Sequence, residues 1–263
     1  MKWQLEVGHG KHTDETGCIT FPDHFRCPEN TVASLINTIY PGINQLPIPD
    51  AYFAECTILM SRNNDVDNIN KEMLKLFPGE ERVFMSADSV KDNGEGELLY
   101  PVEHLNSINC SGLPLSKLKL KVGCPVMILR NLNPGEGVCN GMRAIVTRMS
   151  NQVLEVRLLT GEHAGRTTFI PRLKITPSDT QVPFAFSRQQ FPVKVCFAMS
   201  INKSQGQSVT YVGLDVQNAV FTHGQLYIGI SQVTSVHNIK AIWDSDMENP
   251  VTKNIVYPEV IID

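Results

Sequence analysis

The 263-residue sequence contains no C-x-x-C pair, and its seven cysteines are an odd number scattered along the chain (Cys18, Cys27, Cys56, Cys110, Cys124, Cys139 and Cys196). This argues against a disulfide framework and against a zinc ribbon. His9, His12, Cys18, His24 and Cys27 crowd the amino-terminal region, but at spacings that match no structural zinc pattern, so no metal site is expected. There is no apolar run of membrane-spanning length, and Met1-Lys2-Trp3-Gln4-Leu5-Glu6 lacks the continuous apolar stretch of a signal peptide. The expectation is a nuclear or cytoplasmic protein, neither secreted nor membrane-bound. The phosphate-cradling pattern G-x-x-x-x-G-K-[S/T] is also missing. Gly8-His9-Gly10-Lys11-His12 has the wrong spacing and offers no hydroxyl for Mg²⁺, and Asp14-Glu15 does not close an apolar strand, so neither reads as a nucleotide site.

What is present is ordinary globular material, 42% hydrophobic and 19% charged, with a net charge of −4. That small total hides a strong segregation. Residues 1–116 carry 8 Lys and Arg against 17 Asp and Glu, residues 117–174 carry 10 against 3, and residues 175–263 carry 5 against 7. A basic middle between acidic flanks is the footprint of a module that meets phosphates. Charge alone leaves open a merely solvated face, with Lys and Arg on alternate strand positions.

Hydrophobic periodicity gives the outline. Val32, Leu35, Ile36 and Ile39 fall at helical spacing; Thr57-Ile58-Leu59-Met60 reads as a buried strand, followed by a helix through Val66, Ile69, Met73 and Leu76 that Pro78-Gly79 stops. Val193–Met199 reads as another buried strand, followed by a polar loop, the strand Val209–Leu214, a helix over Gly224–Ile230 and a closing strand Ile239–Trp243. Alternating strands and helices predict an α/β layered domain. Between them the texture changes to the short strands Leu118–Val122, Val126–Arg130, Arg143–Arg148, Val153–Leu159 and Thr167–Ile170, at the spacing of a small antiparallel β-barrel. The basic and β-rich segments coincide, which favours a nucleic-acid surface. The expected organisation is 1–103 as the amino-terminal region and first part of the α/β domain, 104–180 as an inserted basic β module, and 181–263 as the remainder.

Several blocks resemble the Pif-type DNA helicases of the kind carried by Helitron transposons, from about Trp3 to Trp243. They are Thr57-Ile58-Leu59-Met60-Ser61-Arg62-Asn63, Pro78-Gly79-Glu80 with Ser86-Ala87-Asp88-Ser89, and Lys119-Leu120-Lys121-Val122-Gly123 with Arg130-Asn131-Leu132. Phe197 to Ser208, including Asn202-Lys203-Ser204-Gln205-Gly206, resembles helicase motif V, and His223 to Ser235 is similar to motif VI. The resemblance implies a second RecA-like helicase domain with the barrel inserted between motifs IV and V. It also implies that ATP and Mg²⁺ are gripped by a first RecA-like motor domain, and that the chain begins beyond that domain. Where the family has Ser-Arg-Val-Thr-Ser, this chain has Ser231-Gln232-Val233-Thr234-Ser235, so Gln232 stands at the arginine-finger position. A neutral amide cannot supply the fixed charge that stabilises a developing γ-phosphate.

The residues assigned from these patterns are Arg62 and Gln232 as catalytic positions, and Arg62, Gln205 and Gly206 as nucleotide contacts. Lys119, Lys121, Arg130, Ser200, Asn202, Lys203 and Ser204 are assigned as nucleic-acid contacts. Taken by residue type, Arg62 also suits a surface ion pair, and Ser200, Asn202 and Ser204 also suit a helix cap cluster. Tyr227 and Phe221 read as core rather than as base-stacking residues. The expected function is that of a carboxy-terminal motor half of an ATP-dependent, 5′-to-3′ helicase acting in replication, repair, recombination or transposition. Such a half is inactive on ATP alone and partners single-stranded DNA and a first motor domain in trans. The competing reading is a non-catalytic single-strand-binding remnant or a decayed transposon product.

Overall fold

A computed structural model describes residues 2–45, 47–90, 100–110, 112–177, 182, 184–247, 249–257 and 259. The chain divides into two compact units, one made of Met1–Leu76 with Phe197–Asp263 and the other of the intervening Phe77–Cys196.

The discontinuous unit is built on a four-stranded parallel sheet in the order Ala198–Ser200, Cys56–Met60, Tyr211–Val216, Ile239–Trp243. In sequence order this is 2-1-3-4. Cys56–Met60 is buried throughout, as a central parallel strand covered on both faces must be. The helix Val32–Ile39 turns Leu35, Ile36 and Ile39 inward, and the Thr31 side chain accepts the Ser34 N–H at its start. This helix packs over Gly213, where a Cβ would stand 2.9 Å from Ile39 and 3.1 Å from both Ile58 and Leu35. Gly229, in the helix Gln225–Ser231, approaches Leu214 in the same way, at 3.2 Å from its Cδ1. Consecutive strand residues face opposite sides, so the two helices cover opposite faces of the sheet. The helix Asn63–Leu76 contributes Asn70, whose buried side chain accepts the Phe197 and Ala198 N–H groups at 2.8 and 2.9 Å and donates to the Ala198 carbonyl at 2.9 Å. That amide fixes the edge strand where it enters the sheet. No helix among the described residues is long and apolar enough to cross a membrane.

The contiguous unit is antiparallel. Where a small barrel is expected, the described strands form three sheets. Five strands run in the order Val193–Val195, Pro125–Ile128, Arg143–Met149, Val153–Leu158, Thr167–Pro171; three in the order Leu173–Ile175, Phe186–Gln190, Ala87–Val90; and Arg82–Met85 pairs with Lys117–Leu120. The unit begins at Phe77 and ends at Cys196, wider than the 104–180 segment, because Arg82–Met85 and Ala87–Val90 pair with strands far later in the chain. The apolar run Val193–Met199 is two strands and not one. Val193–Val195 belongs to the five-stranded antiparallel sheet and Ala198–Ser200 to the parallel sheet, with Cys196 and Phe197 between them. Val193 and the whole of Ala198–Ser200 are buried and the run is apolar on both sides of the break, so hydrophobicity alone carries no sign of it.

Candidate nucleic-acid interface

In an open parallel sheet, ligands gather outside the carboxyl ends of the strands, where the strand order reverses. Here that edge lies beyond Met60, Ser200 and Val216, which end neighbouring strands in register. Arg62 follows Met60, is exposed, and offers its carbonyl to the Val66 N–H at 3.2 Å as the next helix begins. Ser200 ends its strand at the N-cap position of the single turn Ile201–Ser204 yet makes no side-chain cap bond. Asn202 and Lys203 project from that turn and are exposed, whereas the Ser204 hydroxyl is buried on the Ile201 carbonyl at 2.6 Å. Ser204 is therefore a structural residue of the turn rather than a free donor.

A polar network that sequence reasoning missed ties these ends together. Ser61 Oγ donates to the Asn218 carbonyl at 2.8 Å, and Asn218 Nδ2 donates to Asp65 at 2.9 Å. Gln225, itself buried, directs Nε2 at the Ser61 carbonyl at 3.5 Å and at Asn202 Oδ1 at 3.4 Å, while its Oε1 accepts the Phe221 N–H at 3.0 Å. Asp215 lies just inside, accepting the Gln217 N–H at 3.1 Å; burial, reinforced by the Asp65 charge, pushes its carboxyl up to about 6. Ser61, Asn202 and Gln225 each sit in a block of the helicase resemblance, but nothing in the sequence showed that they bond to one another.

Gln232 is elsewhere. Its carbonyl accepts the Val209 N–H at 3.0 Å, and Val209 precedes the strand Tyr211–Val216, whereas Arg62 follows the strand paired with it. The two lie at opposite ends of the sheet, roughly 20 Å apart along a strand rising about 3.3 Å per residue. They cannot meet one γ-phosphate, which corrects their pairing as catalytic positions. The Gln232 amide donates to the Ile228 carbonyl at 3.1 Å and to Ser231 Oγ at 3.3 Å. Gln205 and Gly206 lie on the connection that carries the chain from the Ser200 end back to Val209. Both are exposed, and Gly206 has φ +80° with open space where a Cβ would be.

In the contiguous unit, much of the basic charge is committed internally. Lys119 pairs with Glu81 at 2.7 Å, and Arg166 pairs with Glu136 at 2.6 Å. Arg172 donates to the Asn151 and Met85 carbonyls at 2.9 and 2.7 Å, and Arg143 is fully buried. Lys121 is the clearest correction, being buried with its ammonium on the Phe77 carbonyl at 2.6 Å. Alternation of charge along the strand suggested an outward side chain, but the strand has ended at Leu120. Arg130 is half-buried against Gly112. Lys117, Arg148 and Lys174 remain exposed.

Residues 103–149 match the family described as "DNA helicase Pif1, 2B domain". The ATP-dependent DNA helicase PIF1 of Homo sapiens is 31% identical over 194 residues, covering 71% of this chain and 27% of the relative. ATP-dependent DNA helicase Pif1 of Campylobacter jejuni is 27% identical over 191 residues, covering 70% and 41%. Among solved structures, a Bacteroides Pif1 bound to ssDNA aligns with TM-score 0.54 at 25% identity over 89% of this chain and 47% of that one. Another, with ADP-AlF3 and ssDNA, aligns with TM-score 0.56 at 25% identity over 87% and 48%. The class is thereby defined as a RecA-like α/β domain of the helicase kind. These matches support a Pif-type DNA helicase of which this chain resembles a part, and the chain spans about a quarter to two fifths of the length of these curated relatives.

Proposed function

We propose that the chain is the second motor part of an ATP-dependent Pif-type helicase, holding single-stranded DNA by its phosphates along the carboxyl edge of the parallel sheet. The observation that carries this is the network of Ser61, Asn202 and Gln225, which fixes the residues bearing Arg62 and Lys203 beside one another. Asn202 is a short exposed polar group suited to sugar-phosphate contact, which positions a strand without reading its sequence, whereas Ser200 is buried and is set aside as a contact. Arg62 joins this set rather than the nucleotide set.

Gln205, Gly206 and Gln232 are the residues that would face a nucleotide. They do not make a Mg²⁺–ATP site unaided, because no phosphate loop is present in the sequence and the Gln232 amide is engaged within its own helix. ATP-driven unwinding therefore requires a first RecA-like motor domain, supplied in the same polypeptide or in trans. Matched salt titrations of single-stranded DNA binding test the reading. Arg62→Ala and Lys203→Ala should each weaken binding and together flatten the salt slope, by about 0.7 in log K for each phosphate no longer neutralised. Unchanged affinity and slope in the double variant would sink it.

A further inference from the structure

Phe221 lies on the same edge, is 56% exposed, and has no role in the network except through its backbone. It sits in the loop between the strand Tyr211–Val216 and the helix Gln225–Ser231, directly after the buried Val220. That neighbour anchors the loop while the ring faces solvent. The Phe221 N–H is held by Gln225 Oε1, and the other end of that amide reaches Ser61, next to Arg62, and Asn202, next to Lys203. A single buried side chain thus ties together the three chain segments that carry an exposed aromatic ring and two exposed cations.

The nearby acids do not oppose a polyanion on this path. Asp215 is buried, Asp244 and Asp246 follow the outermost strand, on the far side of Tyr211–Val216 from Arg62, and the remaining charge of Asp65, which accepts from Asn218, stands against two cations, Arg62 and Lys203. A flat apolar face beside phosphate-complementary charge is the combination by which single strands are held without sequence preference. We infer that Phe221 stacks on an unpaired nucleobase of the bound strand, with Arg62 and Lys203 taking flanking phosphates. This inference rests on the carboxyl edge being the DNA-contacting edge.

The test compares an oligo-dT with a same-length oligonucleotide of abasic sites, both titrated by fluorescence anisotropy at low salt against the full chain. The parent should prefer oligo-dT by about five- to a hundredfold, the range of one stacked base. Phe221→Ala should lose that factor on oligo-dT and be unchanged on the abasic strand, while Phe221→Trp should keep it. The ring is exposed, so its removal should leave the circular dichroism spectrum of the chain unchanged. If Phe221→Ala binds oligo-dT as the parent does while Arg62→Ala still weakens both strands, stacking is wrong and the edge assignment stands. If the parent binds neither oligonucleotide, both fall.

Discussion

Arg188 and Asp88 form a bidentate ion pair in the interior of the contiguous unit, with Nε 2.9 Å from Oδ1 and Nη2 2.7 Å from Oδ2. The other three guanidinium N–H groups are also placed. Nη1 donates to the Ile108 and Pro114 carbonyls at 3.0 and 3.1 Å, and Nη2 to the Leu105 carbonyl at 2.8 Å. A guanidinium has five donors, so none is left over, and Ser86 Oγ adds a 2.7 Å bond to Asp88. Full satisfaction is what allows a charge pair to be buried without a prohibitive desolvation cost.

Asp88→Asn leaves that cation without its counter-charge. Urea unfolding followed by a probe in residues 77–196 should show a loss of about 3–5 kcal/mol. An apolar double replacement such as Asp88→Leu with Arg188→Met should recover a large part of it. A loss under about 1 kcal/mol for the single variant would mean that water reaches the site.

Lys121 and Lys174 should separate structure from binding. Lys121→Glu, which buries a carboxylate against the Phe77 carbonyl, should destabilise the chain by several kcal/mol whatever DNA is present. Reversing the exposed Lys117, Arg148 and Lys174 to Glu should leave the thermal midpoint nearly unchanged and flatten the salt dependence of DNA binding. A triple variant with the parent's salt slope would show that this unit makes no phosphate contact.

Asp215 gives the chain a pH dependence of defined sign. Its folded value of about 6 exceeds the ordinary 3.8, so the unfolded chain ionises first as pH rises. Stability contributed by the protonated side chain is present below about pH 4 and lost as pH climbs towards 6 and beyond. Asp215→Asn keeps the acceptor for Gln217 and removes the buried charge. It should therefore stabilise the chain at pH 7.5 by at most about 3 kcal/mol, with the difference closing below about pH 4. Denaturant midpoints for both proteins across that range are the measurement; a pH-independent difference would rule out ionisation as the cause.

Gln232→Arg should raise ATP turnover when a first motor domain is supplied, since the change returns a fixed charge to the arginine-finger position. Arg62→Ala in the same assembly should act through the DNA, raising the DNA concentration needed for half-maximal turnover more than it lowers the plateau. A steady-state ATPase titration with single-stranded DNA distinguishes them. Equal turnover for the parent chain and Q232R would remove Gln232 from the nucleotide site.

Much of the fold was legible because its long elements carry clean periods. The strand Ile239–Trp243 and the helix Val32–Ile39 match their apolar spacing. Ala87–Val90 gave no such signal, since its Ala-Asp-Ser-Val pattern has no fully buried apolar residue along it and only pairing with Phe186–Gln190 makes it a strand. The site was legible as motifs but not as geometry. Linear order cannot say that Arg62 and Gln232 end up at opposite edges of one sheet, because that depends on which end of each strand a loop leaves from. Phe221 was misread as core for a similar reason: its neighbour Val220 is buried, and residue type alone does not reveal which of the two faces inward.

The short passages at Leu76–Phe77 and Cys196–Phe197 bear on how the chain assembles as it is made. The strand Cys56–Met60 can pair with neither Ala198–Ser200 nor Tyr211–Val216 until everything between has left the ribosome. The contiguous unit has no such wait, and its first and last residues are both tied to one stretch, Phe77 through Lys121 and Cys196 through Pro125. Once folded, it replaces a long floppy closure with a short stiff one, lowering the entropic cost of completing the parallel sheet by on the order of 2 kcal/mol. A fragment of residues 77–196 should then fold by itself and show cooperative unfolding, while residues 1–76 alone should not. The inserted unit would act as a clamp that presents two distant stretches of polypeptide to each other, setting the order in which the chain folds.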